Sequence, residues 1–201
     1  MAREVGVSNI TFFPLLTDNA GGTPTYGEAV KIPWAVNFET EDEYSEGSYY
    51  ADNITENSLK KLSKVNVTME VSSDTPPALD AKLTGKYHDK ARSVSSTRQK
   101  APRGAIAYEI LMDDDTVRRR VIYNVALTRN SQSNSTVEDS MDGKTYTYEG
   151  VGIPLQANSD VDLVMDQKEV EAYIADAETN TDHAEVQAEW DGFFEEVVLR
   201  K

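Results

Sequence analysis

The feature that most constrains the fold is strict alternation between apolar and polar residues from 65 to 72. The apolar members are Val65, Val67, Met69 and Val71, and the polar members are Asn66, Thr68, Glu70 and Ser72. Successive side chains of a β-strand point to opposite faces, so this run predicts a strand with one buried face.

Further strands are predicted along most of the chain. They are expected at residues 10–16, at 30–32 before Pro33, at 105–111, at 117–127 and at 145–149. The segments 105–111 and 117–127 flank the polar turn 112–116 and so predict a hairpin. The pattern as a whole predicts a mainly β (α+β) fold.

One short helix is predicted to flank the sheet. Thr75 is a candidate N-cap, Pro76 suits the first helical position, and Gly85 is a typical left-handed stop. Leu79 and Leu83 are four residues apart and share one face, which would cover an edge of the sheet.

Three polar stretches, 36–59, 88–104 and 129–144, are predicted to be long loops. Loops of this length on a β scaffold are usually binding elements or partly ordered segments. We expect residues 1–157 to form the β domain. Residues 158–201 are expected to be an acidic segment that docks on that domain or completes it.

The C-terminal segment allows two secondary structures. Val170, Ala172 and Ile174 alternate as in a strand, whereas Val170 and Ile174 are also four apart, as in a helix; the strand is favoured. A terminal apolar cluster is expected to dock on the sheet. Its members are Trp190, Phe193, Phe194, Val197 and Leu199.

Charge is distributed unevenly over the 201 residues, whose formal net charge is −15. Residues 159–199 hold thirteen acids and one base, whereas residues 80–130 hold eleven bases and six acids. The overall balance argues against wrapping nucleic acid, which needs clustered cations. Acidic and basic regions in one chain would also attract a second copy, although solvated charged segments are the simpler explanation.

The sequence predicts no enzyme site, cofactor or metal centre. There is no Cys, and His88 and His183 stand in polar surroundings typical of solvated side chains. The acids 113–115 are contiguous, unlike the spaced ligands of a calcium loop, and fit a solvated hairpin turn. Neither a signal peptide nor a membrane anchor is expected, because no long apolar run occurs.

Arg118, Arg119 and Arg120 form the one basic cluster within a predicted strand. Alternation places Arg118 and Arg120 on one face and Arg119 on the other. Either the cluster is an exposed strand end, or it is an intersubunit partner for acidic segments of another copy.

The order of these segments resembles the major tail protein (tail tube protein) family of long-tailed, non-contractile bacteriophages. The resemblance covers nearly the whole chain. It is carried most specifically by Tyr49-Tyr50-Ala51-Asp52-Asn53 after an acidic stretch, and by Ala105-Ile106-Ala107-Tyr108-Glu109 leading into a turn and Arg119-Arg120-Val121. It implies a β-sandwich or barrel-like body with a short helix.

The same resemblance implies a structural virion protein that is assembled in the host bacterial cytoplasm. Subunits would form hexameric rings that stack into a hollow tube, with the tape measure and tail terminator proteins as partners. DNA would pass through without specific binding. Candidate interface residues are Glu39, Tyr44, Tyr49, Tyr50, Arg118, Arg119 and Arg120. Two alternatives stay open: a carbohydrate-binding or decoration module using Trp34 and Trp190, and an acidic DNA mimic.

Overall fold

Antiparallel strands account for most of the secondary structure in the computed structural model, which describes residues 2–51, 54–72, 75–129, 145–176 and 181–200. Of residues 47–51 and 54–59 it describes the backbone alone. The strands are β1 Glu4–Thr17, β2 Thr25–Tyr26, β3 Val30–Lys31, β4 Ala35–Ala51, β5 Ile54–Val71, β6 Tyr87–Asp89, β7 Arg92–Val94, β8 Arg103–Met112, β9 Val117–Thr128, β10 Tyr146–Gly152 and β11 Asp162–Asp166. The helices are α1 Pro77–Thr84, α2 Gln167–Ala175 and α3 His183–Asp191.

Seven strands form the main sheet in the order β2-β1-β8-β9-β10-β5-β4. In addition, β3 pairs with β1 and β11 pairs with β9, while β6 and β7 form a separate two-stranded hairpin. The sheet curls, so that β1 and β4, which are far apart in the strand order, come into contact. The mainly β class predicted from the sequence is confirmed.

The concave face of the sheet holds the larger apolar core. Its β5 contribution is the alternating run predicted from the sequence, whose apolar side chains Val65, Val67, Met69 and Val71 are all at most 2% exposed. They pack with buried side chains of β1, β8, β9 and β10. Leu83 of α1, which is fully buried, joins this core as predicted.

A second core lies on the other face of the sheet, under the C-terminal segment. Phe193 and Val198 are buried there against Phe13, Val121 and Tyr123. The Tyr123 hydroxyl donates to the Val198 carbonyl oxygen at 3.0 Å, and burial raises the pKa of this phenol. The terminal apolar cluster thus packs on the sheet.

Helix α1 ends where the sequence predicts and begins one residue later. Gly85 adopts φ 75° and its amide donates to the Ala81 carbonyl oxygen at 2.9 Å, as in a left-handed C-cap. The N-cap residue is Pro76 and no side chain caps the helix, so the assignment of Thr75 as the cap was wrong.

The largest difference from the sequence prediction concerns residues 36–51 and 54–59, which are strand rather than loop. They belong to β4 and β5, which pair from Ala35↔Val71 to Ala51↔Ile54 as one long hairpin. Of the other two predicted loops, 88–104 contains the short hairpin of β6 and β7 and the start of β8. The stretch 130–144 lies outside the described residues.

The C-terminal segment is also more helical than predicted. Residues 167–175 form α2, so the strand favoured at Val170–Ile174 was wrong and the helical alternative was right. Asp166 caps α2 by accepting a hydrogen bond from the Lys168 amide at 3.1 Å. With α3, the described part of the chain holds three helices rather than the single flanking helix that was expected.

Candidate assembly interface

The three consecutive arginines of β9 alternate between the faces of the sheet, as predicted. Arg118 pairs with Asp166 of β11 at 3.0 Å and with Glu4 of β1 at 3.6 Å. Its side chain is 35% exposed, so these are largely surface ion pairs. Each of the three guanidinium groups has a carboxylate partner in its own chain.

Arg119 projects to the face covered by the C-terminal segment. Its Nε donates to Glu109 at 3.1 Å, and its guanidinium lies 4.0 Å from the centre of the Trp190 ring. It also donates to the Trp190 carbonyl oxygen. The arginine therefore fastens α3 to the sheet through the cation–π contact and the hydrogen bond to Trp190, while the mostly buried ion pair with Glu109 of β8 holds its guanidinium in place. One face of the Trp190 indole is consequently occupied and is not open to a sugar ring.

Arg120 projects to the opposite face and joins three elements. Its guanidinium pairs with Asp162 of β11 at 2.7 Å and with Asp42 of β4 at 3.5 Å, and donates to the Thr40 hydroxyl at 3.0 Å. Nearby, the Phe38 and Tyr108 rings lie 4.3 Å apart. Burial raises the pKa of Tyr108, although the positive charge of Arg120 opposes this shift. These contacts attach the first part of β4 to the body.

A groove of about 740 Å³ runs between β1 and β4, where the curled sheet fails to close. We call it the seam groove. Its walls are residues 4–7 of β1 and 36–41 of β4, and Tyr108, Ile110 and Arg120 line it as well. Within the described residues, β1 from Glu4 to Ser8 pairs only with β8, and β4 pairs only with β5. Both walls therefore present an unpaired strand edge.

The part of the hairpin beyond the body forms a two-stranded ribbon. Strand β10 pairs with β5 only from Val65 to Val71, so residues 43–51 and 54–64 pair with each other alone among the described strands. We call this part the outer hairpin. Nine residues of strand span about 30 Å. Cross-strand ion pairs support it, from Glu43 to Lys64 at 2.9 Å and from Glu46 to Lys60 at 2.5 Å.

The candidate interface residues of the acidic stretch all lie on β4. Glu39 is exposed on the wall of the seam groove, and Tyr44 is 53% exposed on the outer hairpin. Tyr49 pairs in register with Asn57 and Tyr50 with Thr55, but their side chains lie outside those described. Glu39 and Arg120 thus line the same groove, whereas Arg119 lies on the other face of the sheet.

A basic surface lies within the basic region 80–130 noted in the sequence, but none of its residues was among the candidate interface residues. Residues 86–103, which we call the basic segment, hold six bases and one acid. The segment follows α1 and is anchored to it: Lys86 pairs with buried Asp80 at 2.7 Å, and Gln99 donates to the Thr84 carbonyl oxygen at 2.8 Å. Its charge count and lack of apolar periodicity could have identified it as an exposed basic surface.

The described residues contain no group of three or more His, Cys, Asp or Glu side chains arranged to hold a metal ion. Among the same residues, no helix has both the length and the apolar composition needed to cross a bilayer. Asp113–Asp115 lie at the turn between β8 and β9. There the Thr116 hydroxyl donates to Asp114 at 2.5 Å, and the Lys168 ammonium also binds this carboxylate. These hydrogen bonds, that from Lys168 foremost, lower the pKa of Asp114 to about 2.

Comparisons with known proteins include a distant structural likeness. No protein-family model matches the chain, and no curated protein matches it. Among solved structures, the chain is similar to the tube-terminating cap of the anti-feeding prophage, determined by cryo-electron microscopy. The TM-score is 0.43 at 9% sequence identity, and the alignment covers 83% of this chain and 95% of that chain. A likeness at this level assigns neither a function nor an assembly to the chain.

Proposed function

We propose that this chain is a structural subunit of a phage-type tail, and that it builds the tail tube by self-association. Subunits would form hexameric rings that stack into a hollow tube through which DNA passes. The resemblance of the sequence to the major tail protein family supports this proposal. A mainly β fold with long unpaired strand edges is physically suited to it, because such edges template pairing with another chain.

The outer hairpin is the observation that carries the proposal. An isolated two-stranded ribbon is marginally stable in water, because neither face is covered and each strand has one unpaired edge. A ribbon about 30 Å long therefore gains stability from a partner that covers it. In a tube, that partner would be the neighbouring subunit, either within a ring or between rings.

Charge is consistent with a conduit for DNA. A net charge of −15 leaves the chain without the excess of cations that binds phosphates. A tube of such subunits would repel the passing duplex rather than hold it. The tape measure and tail terminator proteins would be further partners, and the assembly would form in the host cytoplasm and end in the virion tail. Residues 158–201 would then complete the same domain as residues 1–157.

A shortened hairpin tests the proposal. Replacing residues 45–61 with Asn-Gly joins Tyr44 to Leu62, which are partners in the ladder, and leaves the Glu43–Lys64 ion pair in place. Asn-Gly suits the two-residue turn that such a hairpin needs. The variant should fold and sediment as a monomer at concentrations at which the full chain forms rings or tubes.

The matched control keeps the hairpin and changes only one of its surface pairs. Lys60→Ala removes the exposed contact to Glu46 and should leave assembly almost unchanged. If the shortened variant assembles as readily as the full chain, the outer hairpin has no role in polymerisation. If the full chain binds glycans or a nucleic-acid-binding protein as a monomer and never polymerises, one of the alternative functions replaces this one.

A further inference from the structure

The seam groove is shaped to receive an extended segment. Its walls are two strand edges, on β1 and β4, whose outward-facing amide and carbonyl groups pair with no other described strand. A chain lying between them could hydrogen-bond to either side and complete the sheet, as in recognition by β-augmentation. The groove therefore offers backbone pairing to a partner.

The exposed side chains along the walls of the groove define the chemistry of that partner. Glu4, Glu39 and Glu41 are exposed along the two walls, and neither Glu39 nor Glu41 pairs with a cation among the described residues. Between these acids, Val5 is 64% exposed and Val36 is 52% exposed. The groove thus combines negative charge with exposed apolar side chains. A second copy of β4 would bring like charges together, so a basic partner with some apolar surface fits better.

The basic segment has the complementary composition. Within the described part of the chain, no carboxylate pairs with Arg92, Arg98 or Lys100, and all three side chains are exposed or half-buried. Among these bases, Tyr87 is 65% exposed and Val94 is 52% exposed. Both strands of its hairpin, β6 and β7, have one unpaired edge among the described strands.

The turn of this hairpin carries a lysine where the backbone favours glycine. Lys90 has φ 46° and Ala91 has φ 63°, the left-handed values of a two-residue hairpin turn. Non-glycine residues are sterically disfavoured in that region of backbone conformation. A positive charge is thus held at the exposed tip despite the backbone strain.

The basic segment of a chain does not occupy the seam groove of that same chain. None of residues 86–103 lines the groove. Instead the segment is anchored to α1, because Lys86 pairs with Asp80 at 2.7 Å and Gln99 donates to the Thr84 carbonyl oxygen at 2.8 Å. A second copy of the chain can bring its basic segment to the groove without breaking these contacts.

We propose that the basic segment of one subunit docks in the seam groove of the next, with Lys90, Arg92 and Arg98 facing Glu39 and Glu41. This deepens the proposed function, on which it rests, by naming two surfaces that join subunits. Because the two surfaces differ, the contact is heterologous and repeats from copy to copy, giving rings or filaments rather than closed dimers.

Cross-linking between introduced cysteines tests the contact directly, since the natural chain contains no Cys. In the double variant V36C/V94C, a thiol on the β4 wall of the seam groove of one copy would meet a thiol on the basic segment of the next copy. Mild oxidation during assembly should give a ladder of dimers, trimers and longer covalent chains on a non-reducing gel. Each single variant can give at most a dimer.

The matched control moves one cysteine away from the groove. Leu16 is 65% exposed and lies on β1 at the end opposite Glu4, so L16C/V94C should give no ladder above the level of the single variants. If V36C/V94C also gives no ladder while its tubes form normally, the docking proposal is wrong and the tube function stands. If the unmodified chain forms no rings or tubes at any concentration, the proposed function itself fails.

Charge reversal gives an independent readout. We expect E39K/E41K, and separately R92E/R98E, to raise the concentration needed for assembly by about tenfold or more, since facing like charges oppose association. The quadruple variant restores opposite signs and should assemble at a concentration near that of the natural chain. Failure of the quadruple variant to recover, with folding intact by circular dichroism, would overturn the pairing of these two surfaces.

Discussion

Arg119 should contribute far more to stability than its neighbour Arg118, although both arginines lie on β9 and both pair with carboxylates. The Arg119 and Glu109 side chains are 17% and 11% exposed, whereas Arg118 is 35% exposed. Arg119→Ala leaves the Glu109 carboxylate with two neutral donors, Ser8 and Asn9, each at 3.1 Å. It also removes the cation–π contact with Trp190.

The size of the effect follows from these contacts. Breaking a fully buried ion pair by removing one partner costs about 3–5 kcal/mol. Partial exposure and the two remaining donors reduce this cost, while the lost cation–π contact adds about 0.5–1 kcal/mol. We therefore expect Arg119→Ala to lower the free energy of unfolding by about 2–4 kcal/mol. Arg118→Ala should lower it by about 1 kcal/mol or less, as for a surface pair.

Equilibrium urea unfolding, followed by circular dichroism and by tryptophan fluorescence, measures both values. A third variant, R119A/E109Q, removes the lone carboxylate and should recover part of the loss, because an uncharged amide costs less to bury. If Arg119→Ala and Arg118→Ala lose equal amounts of stability, the contacts of Arg119 with Glu109 and Trp190 do not stabilise the fold more than a surface ion pair does.

Three further predictions concern the core. Gly104→Ala should destabilise the fold by roughly 1–3 kcal/mol in urea unfolding, because the new methyl group would lie 2.3 Å from the Phe13 carbonyl oxygen; an unchanged midpoint would contradict this. Tyr148→Phe should cost about 1–2 kcal/mol, since the buried hydroxyl donates at 2.9 Å to Asp80, which also pairs with Lys86; a loss matching that of a surface substitution would refute it. Burial raises the pKa of Tyr148 from 10.0 to about 12, so this tyrosine contributes stability that is fully present below pH 10 and lost as pH rises through 12. Tyrosinate absorbance and circular dichroism in an alkaline titration measure this loss, which should be smaller in Tyr148→Phe; identical profiles would contradict the assignment.

The parts of the fold with one covered face were predictable from the sequence. Val65 to Val71 alternates because one side of β5 faces the core and the other does not. Gly85 marked the end of α1 because few other residues adopt its left-handed backbone. In both cases, local chemistry and the tertiary environment favour the same structure.

The long hairpin was missed for a physical reason. Residues 41–46 of β4 are all exposed, so neither face of this part of the strand requires apolar side chains and no period of two appears there. The strand is specified by backbone pairing and by cross-strand pairs such as Glu43 with Lys64, which look like scattered charges in the sequence. Polar strands of this kind are mistaken for loops, because apolar residues alternate only where one face of a strand is buried.

The start of helix α2 carries a helix-capping pattern that the strand prediction did not take into account. Asp166 followed three residues later by Glu169 is a typical start of a helix, and Asp166 does cap α2. Glu39 and the arginines remain predicted interface residues, whereas no pattern in the sequence indicates the groove between β1 and β4. That groove depends on how the sheet curls, which is set by packing between segments distant in sequence.

Negative-stain electron microscopy of the purified full-length chain, over a series of concentrations, tests self-association most directly. The account predicts rings at intermediate concentrations and hollow tubes of uniform diameter at high ones. Single particles of monomer size throughout the series, in a sample whose circular dichroism shows a folded β protein, would contradict it.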